Sequence, residues 1–156
     1  MMTSEEKFMK MALREAKKAE KAEEVPIGCI IVKDGKVVAK AYNMRQSKRL
    51  STAHAEILAI EKACRKIKDW RLDGMEMFVT LEPCAMCAGA IVNSRIKKVY
   101  FGAKEEKSGC ASSKFPVLSE SGLNHCTDFE GGIEGEKCAK IIKNYFKAKR
   151  SKKSLD

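Results

Sequence analysis

The residues in this sequence best suited to chemistry are two closely spaced cysteines and a histidine. Cys84 and Cys87 are separated by two residues, so both sulfurs can face one point from the first turn of a helix. A helix N-terminus also lowers the pKa of a thiol, which favours the thiolate that binds zinc. His54 offers a third ligand from the start of another predicted helix. These three side chains predict a zinc site.

The number of ligands favours a catalytic zinc over a structural one. A structural zinc has four protein ligands, whereas a catalytic zinc has three and keeps one position open. The sequence has one other histidine, His125, and no second pair of cysteines separated by two residues. A closed site would therefore need unusual ligands, and an open site is the simpler interpretation.

Glu56 is the candidate for moving protons in this site. It stands two residues after His54, close to the predicted metal without having to bind it. Zinc lowers the pKa of a bound water to about 7, so a nearby carboxylate can take a proton near neutral pH and return it to a ring nitrogen or a leaving amine. We therefore predict that Glu56 acts as both general base and general acid.

Each half of this pattern has a plainer interpretation when it is taken alone. Two cysteines at this spacing can form a redox pair of thioredoxin type, and a single histidine is more often a core or surface residue than a ligand. Five cysteines lie outside the predicted site. Cys29, Cys64 and Cys138 lie on apolar faces and are predicted to be core residues, whereas Cys110 and Cys126 have no evident partner.

Length, composition and charge limit the class of protein. The 156 residues suit one domain over 1–156, and no apolar run approaches the roughly 20 residues that span a bilayer. Residues 1–7 are polar and acidic, unlike a secretory signal, and the seven cysteines favour a reducing compartment. We therefore expect a cytoplasmic protein. The formal net charge of +10 makes nucleic acid a candidate partner, although many basic proteins bind none.

Hydrophobic periodicity predicts the elements that must position these residues. Helices are expected at 4–23, Ala53–Lys68 with Ser51 or Thr52 as N-cap, Cys84–Ser94, and from Ile133 or Glu134 to about Lys149. Strands are expected at Ile27–Lys33, Val37–Ala41, Met75–Thr80, Lys98–Phe101 and, with a weaker pattern, Cys126–Phe129. Asp34-Gly35 favours a hairpin turn, and Gly102–Lys114 is expected to be a loop. The pattern predicts an α/β sandwich around a mixed sheet.

The last predicted helix carries a run of positive charge. Between Lys137 and Lys153 there are eight basic residues and no acidic ones. They are Lys137, Lys140, Lys143, Lys147, Lys149, Arg150, Lys152 and Lys153. The run is typical of a phosphate-binding surface, although a solvated helix face can also be basic without binding any ligand.

Two blocks of residues around the predicted ligands match the H-x-E and P-C-x-x-C pattern of zinc deaminases: His54-Ala55-Glu56 and Pro83-Cys84-Ala85-Met86-Cys87. Similar blocks extend over nearly the whole chain, among them Val25-Pro26-Ile27-Gly28 and Val79-Thr80-Leu81-Glu82. With these blocks the sequence closely resembles the tRNA-specific adenosine deaminases, a family of the cytidine deaminase-like superfamily.

The resemblance implies both a fold and an activity. The fold would be a three-layer α/β/α sandwich with a five-stranded mixed sheet, and the protein would be a homodimer. It would convert adenosine to inosine at the wobble position of a tRNA. One zinc ion per subunit would be bound by His54, Cys84 and Cys87, and Glu56 would shuttle protons.

The resemblance also implies how the RNA is bound. Asn43 would contact the nucleoside that leaves its stack, and Pro26 and Ile27 would line the base pocket. The segment Ala103–Gly109 and the C-terminal helix resemble the parts of the family that contact the anticodon loop.

Three other functions remain alternatives. A deaminase of a free nucleobase or nucleoside, such as guanine or cytosine, would use the same zinc site with a closed pocket, but the basic terminal helix argues against it. A zinc-stabilised RNA-binding module without catalysis would have no use for Glu56. A riboflavin-pathway deaminase usually continues into a reductase domain, which this sequence does not contain.

Overall fold

A mixed sheet separates two layers of helices in the structure, a computed structural model that describes residues 1–119 and 125–155. The helices within these residues are α1 (Ser4–Lys21), α2 (Arg45–Lys48), α3 (Ala55–Ile67), α4 (Ala85–Asn93) and α5 (Gly135–Leu155). The strands are β1 (Gly28–Lys33), β2 (Lys36–Tyr42), β3 (Glu76–Leu81), β4 (Lys98–Ala103) and β5 (Asp128–Gly131). This architecture confirms the predicted α/β/α sandwich with a five-stranded mixed sheet.

The strand order β2-β1-β3-β4-β5 places the predicted site at the carboxyl end of β3. β1 pairs antiparallel with both β2 and β3, whereas β4 pairs parallel with β3 and with β5. The hairpin at Asp34-Gly35 is confirmed, because both residues have positive φ angles, 51° and 76°, as a two-residue hairpin turn requires. The parallel pair β3 and β4 needs a crossover connection, and α4 provides it.

Side chains on the strands alternate between two apolar cores. The core under α3 and α4 contains Cys29, Ile31, Met77, Val79, Val99 and Phe101. The core under α1 contains Ile30, Val32, Phe78 and Tyr100, with the rings of Phe78 and Tyr100 stacked at 4.6 Å. Because successive strand residues point to opposite faces, β1, β3 and β4 each contribute to both cores, and α3 and α4 are held against one face.

Several predicted boundaries shift for identifiable reasons. β4 extends to Ala103 because parallel pairing with β3 continues to Leu81, so the loop begins after Ala103 rather than at Gly102. The N-cap of α3 is His54, and the expected Ser51 or Thr52 cap is wrong. Periodicity missed α2 altogether, because four residues are too few to show a helical pattern.

The terminal helix α5 is longer than predicted. It ends at Leu155 instead of near Lys149, so its last lysines lie on defined helix faces. Cys138 near its start is fully buried, whereas Phe146, two turns further on, is 39% exposed. The helix therefore loses its contact with the core towards its C-terminus. Neither α5 nor any other helix in the described residues is long and apolar enough to cross a membrane.

Candidate metal centre

The predicted ligands come from the N-termini of two helices. His54 is the N-cap residue of α3 and Cys84 is the N-cap residue of α4, and neither side chain caps its own helix. The imidazole and the thiol can therefore face each other across the gap between the helices. Cys87 lies in the first turn of α4 and is fully buried.

The distances between these side chains fit a tetrahedral metal site. Nδ1 of His54 lies 3.8 Å from Sγ of Cys84 and 3.5 Å from Sγ of Cys87, and the three ligand atoms lie within 4.8 Å of one another. A tetrahedral zinc with Zn–S near 2.3 Å and Zn–N near 2.1 Å would hold a sulfur and a nitrogen roughly 3.6 Å apart. One imidazole and two thiols are also a donor set that zinc prefers, so the residues fit this metal.

The electrostatics of the two thiols favour one thiolate before any metal binds. Hydrogen bonds from Cys87 and from His54 lower the pKa of the Cys84 thiol to about 4. The same hydrogen bond with Cys84, together with burial, raises the pKa of Cys87. The bond to Cys84 also raises the pKa of His54. The lowered pKa of Cys84 favours the thiolate, which is the form of the side chain that binds a divalent cation.

Glu56 lies beside this group and outside it. Its side chain is in the first turn of α3 and is only 4% exposed. Burial raises the pKa of the Glu56 carboxyl to about 7. A group with a pKa near neutral can both accept and donate a proton at working pH.

A cavity of about 200 Å³ opens beside His54 and contains part of the predicted base pocket. Ile27 and Asn43 line it, whereas Pro26 is buried and is not among the lining residues. The Asn43 amide donates to the Val25 carbonyl at 3.3 Å and accepts from the Arg45 N–H at 3.2 Å. These bonds fix its orientation and leave one amide hydrogen for a ligand.

Sequence reasoning missed Glu24, which orders another wall of the cavity. Its carboxylate is 1% exposed and accepts hydrogen bonds from the N–H groups of Gln46 and Ser47, at 2.9 and 2.6 Å. Burial alone would raise the pKa of Glu24, but these bonds and one from the Ser47 hydroxyl lower it. The residue thus fixes α2 next to the cavity. Its only sequence signal is its position directly before the Val25-Pro26-Ile27-Gly28 block.

The end of α5 forms the remaining wall. Tyr145 and Lys149 both line the cavity. The Tyr145 hydroxyl donates to the Glu23 carbonyl at 3.2 Å, and the Lys149 ammonium lies 5.8 Å from the centre of the Tyr145 ring. The basic helix α5 therefore lines part of the cavity, and this contact could not be predicted from the sequence pattern.

The other candidate residues do not belong to the group of metal ligands. His125 has Nε2 at 3.1 Å from the Ile96 carbonyl. All seven cysteines are free thiols, and Cys29 and Cys138 are core residues as predicted. Cys110 is also buried in the core, whereas Cys126 is exposed. Among the described residues, only His54, Cys84 and Cys87 form a group that could hold a metal.

Comparison with known proteins decides the family. The model of the MafB19-like deaminase family matches residues 3–150. A tRNA-specific adenosine deaminase from Bacillus subtilis (strain 168) is 45% identical over 152 residues, which cover 97% of this chain and 94% of that protein. The chain belongs to the tRNA-specific adenosine deaminase family.

Solved structures of deaminases superpose on this chain. A structure from a study of A-to-I editing by tRNA:A34 deaminases at the wobble position of transfer RNA superposes with a TM-score of 0.83 at 41% identity. The match covers 86% of this chain and 97% of that one. A guanine deaminase from Bacillus subtilis has a TM-score of 0.61 at 39% identity, with 64% of each chain covered. The resemblance inferred from the sequence is thus confirmed for the tRNA-specific adenosine deaminase family.

We predict that Cys84→Ser and Cys87→Ser each weaken zinc binding at least about 100-fold, because a neutral hydroxyl is a much poorer zinc ligand than a thiolate. Metal analysis after dialysis against a competing chelator would measure the change. Cys138→Ser is the control, since Cys138 is as fully buried as Cys87 but lies in the core under α1. Stoichiometric zinc in either ligand variant would contradict the three-ligand site.

Proposed function

We propose that this protein is a cytoplasmic, zinc-dependent tRNA adenosine deaminase that forms inosine at the wobble position. The observation that carries the proposal is the His54, Cys84 and Cys87 group with buried Glu56 beside it. Family membership supports the substrate, because the curated relatives are named tRNA-specific adenosine deaminases. The reaction consumes one water and releases ammonia.

The proposed mechanism gives each residue one task. His54, Cys84 and Cys87 would hold one zinc ion per subunit and leave one coordination position open. When bound, zinc would act as a Lewis acid and lower the pKa of a coordinated water to about 7. Glu56 accepts a proton from the water that adds to C6 of adenine and donates it to N1. The same carboxyl then transfers the remaining hydroxyl proton to the departing amine, which leaves as ammonia.

The cavity beside His54 fits a single base removed from its stack. Enzymes that deaminate a base in a nucleic acid must take it out of the stack or act where it is unpaired, as in an anticodon loop. We place the base against Ile27, with the free amide hydrogen of Asn43 directed at the nucleoside. Pro26, which is buried, would fix the backbone that carries Ile27 rather than contact the base.

Incubation of the protein with total tRNA and, separately, with free adenosine, adenine, guanine and cytosine tests the function. We expect inosine in nuclease-digested tRNA and no turnover of the free compounds, measured by mass spectrometry. Glu56→Gln should keep its zinc but lose about 10²- to 10⁴-fold in kcat, as expected for removal of a general acid and base. Preferential turnover of free guanine would contradict the RNA substrate, and loss of zinc in Glu56→Gln would make Glu56 a ligand.

Lysines lie on two different faces of α5, so variants of each face can distinguish a specific RNA contact from an effect of net charge. Tyr145, Lys149 and Lys152 follow helical spacing and line one groove. Lys143 and Lys147 each lie two residues from Tyr145, which is roughly 200° around a helix of 3.6 residues per turn. The two lysine pairs therefore carry equal charge on different faces.

We predict that Lys149→Gln/Lys152→Gln raises KM for tRNA about tenfold and leaves zinc content unchanged. The slope of log K against log salt should flatten by about 0.7 to 0.9 for every phosphate that the variant no longer neutralises. tRNA binding across a salt series would measure this, with Lys143→Gln/Lys147→Gln as the matched control. Equal weakening in both double variants would mean that only net charge matters.

We further propose a homodimer whose interface lies next to the metal centre. Large apolar side chains remain exposed on this chain, among them Leu50, Trp70, Met86 and Phe115. Met86 is adjacent to Cys87 in the first turn of α4, so a subunit that covers it would stand at the site.

Light scattering should therefore give a mass of twice 17.4 kDa, and Met86→Lys should shift the protein towards monomer, because a charge would be buried at the interface. Ala85→Lys, a change at the exposed neighbouring position, tests whether any added lysine has this effect. A fully active monomer would contradict the homodimer.

A further inference from the structure

Another buried carboxylate, that of Glu82, lies between β3 and the metal ligand Cys84. Its side chain belongs to a residue that is 2% exposed. Oε2 accepts hydrogen bonds from the N–H groups of Ala111, Ser112 and Ser113, at 3.1, 2.9 and 3.0 Å. Oε1 accepts from the Glu105 N–H at 3.1 Å and from the Ser113 hydroxyl. One carboxylate thus binds both ends of the segment 105–113.

No lysine or arginine in the described residues forms a salt bridge with Glu82. Four backbone N–H groups and one hydroxyl solvate it instead. Hydrogen bonds to a charged acceptor are about twice as strong as neutral ones, and a loop has few other ways to satisfy its buried N–H groups. The carboxylate is therefore the centre around which the loop 104–114 is folded.

The loop is also joined directly to the turn that carries the metal ligands. The Cys110 N–H donates to the Pro83 carbonyl at 2.7 Å, and Pro83 directly precedes Cys84. Gly109 packs so closely that a Cβ there would lie 2.5 Å from the Glu82 carboxyl carbon and also contact the Glu105 carbonyl. These contacts leave no space between the loop and the carboxylate.

The outer surface of the same loop carries three exposed lysines and one exposed glutamate, Glu106. Lys104, Lys107 and Lys114 are exposed, and Lys104 and Lys107 flank the residue whose N–H bonds to Oε1 of Glu82. Flexible lysines gain little from a phosphate unless the backbone that carries them is already ordered. Ordering of the loop before RNA arrives would therefore increase affinity without any new contact.

We propose that Glu82 is a positioning residue for RNA: its carboxylate fixes the 104–114 loop beside the metal centre, so that the exposed lysines meet the phosphates flanking the target adenosine. The proposal rests on the proposed function and adds a residue to it. Glu82 contacts neither the base nor the metal ligands' side chains in this assignment. Its effect is on binding of the RNA, and the chemical step is left to Glu56.

Glu82→Gln tests this assignment with little change of shape. A glutamine can keep its oxygen towards the three N–H groups of Ala111, Ser112 and Ser113, but its NH₂ group must then face the Glu105 N–H, donor against donor. The end of the loop at Glu105 should therefore loosen. Ser113→Ala is a milder variant that removes one hydroxyl bond and leaves the carboxylate in place.

Amide hydrogen exchange on the zinc-loaded protein measures the loop without any RNA. We expect exchange at Glu105 to rise at least about tenfold in Glu82→Gln, and to a smaller degree in Ser113→Ala, with zinc content unchanged. Glu76→Gln is the matched control, since Glu76 lies at the other end of β3 and accepts a bond from the Tyr100 hydroxyl at 3.3 Å. Unchanged exchange at Glu105 would overturn the role of the carboxylate in ordering the loop.

Kinetics with an anticodon stem-loop RNA separate positioning from a merely structural role. Glu82→Gln should raise KM about tenfold and change kcat less than about twofold, and Ser113→Ala should shift KM in the same direction by less. Faster exchange with an unchanged KM, or loss of zinc and kcat with KM unchanged, would overturn the proposal. Failure of the proposed function is distinguishable, because the unmodified protein would then form no inosine in this RNA.

Discussion

The meeting of two helix N-termini at one point is the constraint on which the rest of the structure depends. Each N-terminus carries a partial positive charge of roughly half an elementary charge, so α3 and α4 repel each other there unless an anion lies between them. Cys84 lies at this point, 3.8 Å from Nδ1 of His54, and its lowered pKa, which results from hydrogen bonds with Cys87 and His54, favours the anionic form. Since α4 is also the crossover between β3 and β4, the sheet topology and the ligand set are fixed together.

On either side of this centre, a buried carboxylate accepts hydrogen bonds from backbone N–H groups of an irregular or very short segment. Glu24 accepts hydrogen bonds from N–H groups of α2, and Glu82 accepts hydrogen bonds from N–H groups of the 104–114 loop. Both segments lack the regular ladders that satisfy backbone groups elsewhere, so an internal anion takes the place of a strand or helix partner. These hydrogen bonds order α2 and the 104–114 loop, although neither segment has a regular hydrophobic pattern. That also explains why hydrophobic pattern missed α2 and indicated no more than a loop at Gly102–Lys114.

Features that depend on residues close together in the sequence could be predicted, whereas most contacts between distant residues could not. Local signals were sufficient for the Asp34-Gly35 hairpin and for the existence of the long helices. Chemistry alone selected His54 and Cys84, 30 residues apart, because few other residues could bind zinc. Bonds such as Glu24 to Ser47 have no local pattern, so the walls of the cavity and the α5 contact could not be predicted.

Opposite charges are concentrated at the two ends of α5. The N-terminal end of α5 lies in an acidic groove lined by Glu5, Glu6, Glu130, Glu134 and Glu136, whereas its last turn carries Lys152 and Lys153. A helix of 21 residues at 1.5 Å per residue is about 31 Å long. Charges in water are screened over about 8 Å at physiological ionic strength. Phosphates near the cavity would therefore experience the lysines at the end of α5 but not the glutamates around its start, as the proposed mode of RNA binding requires.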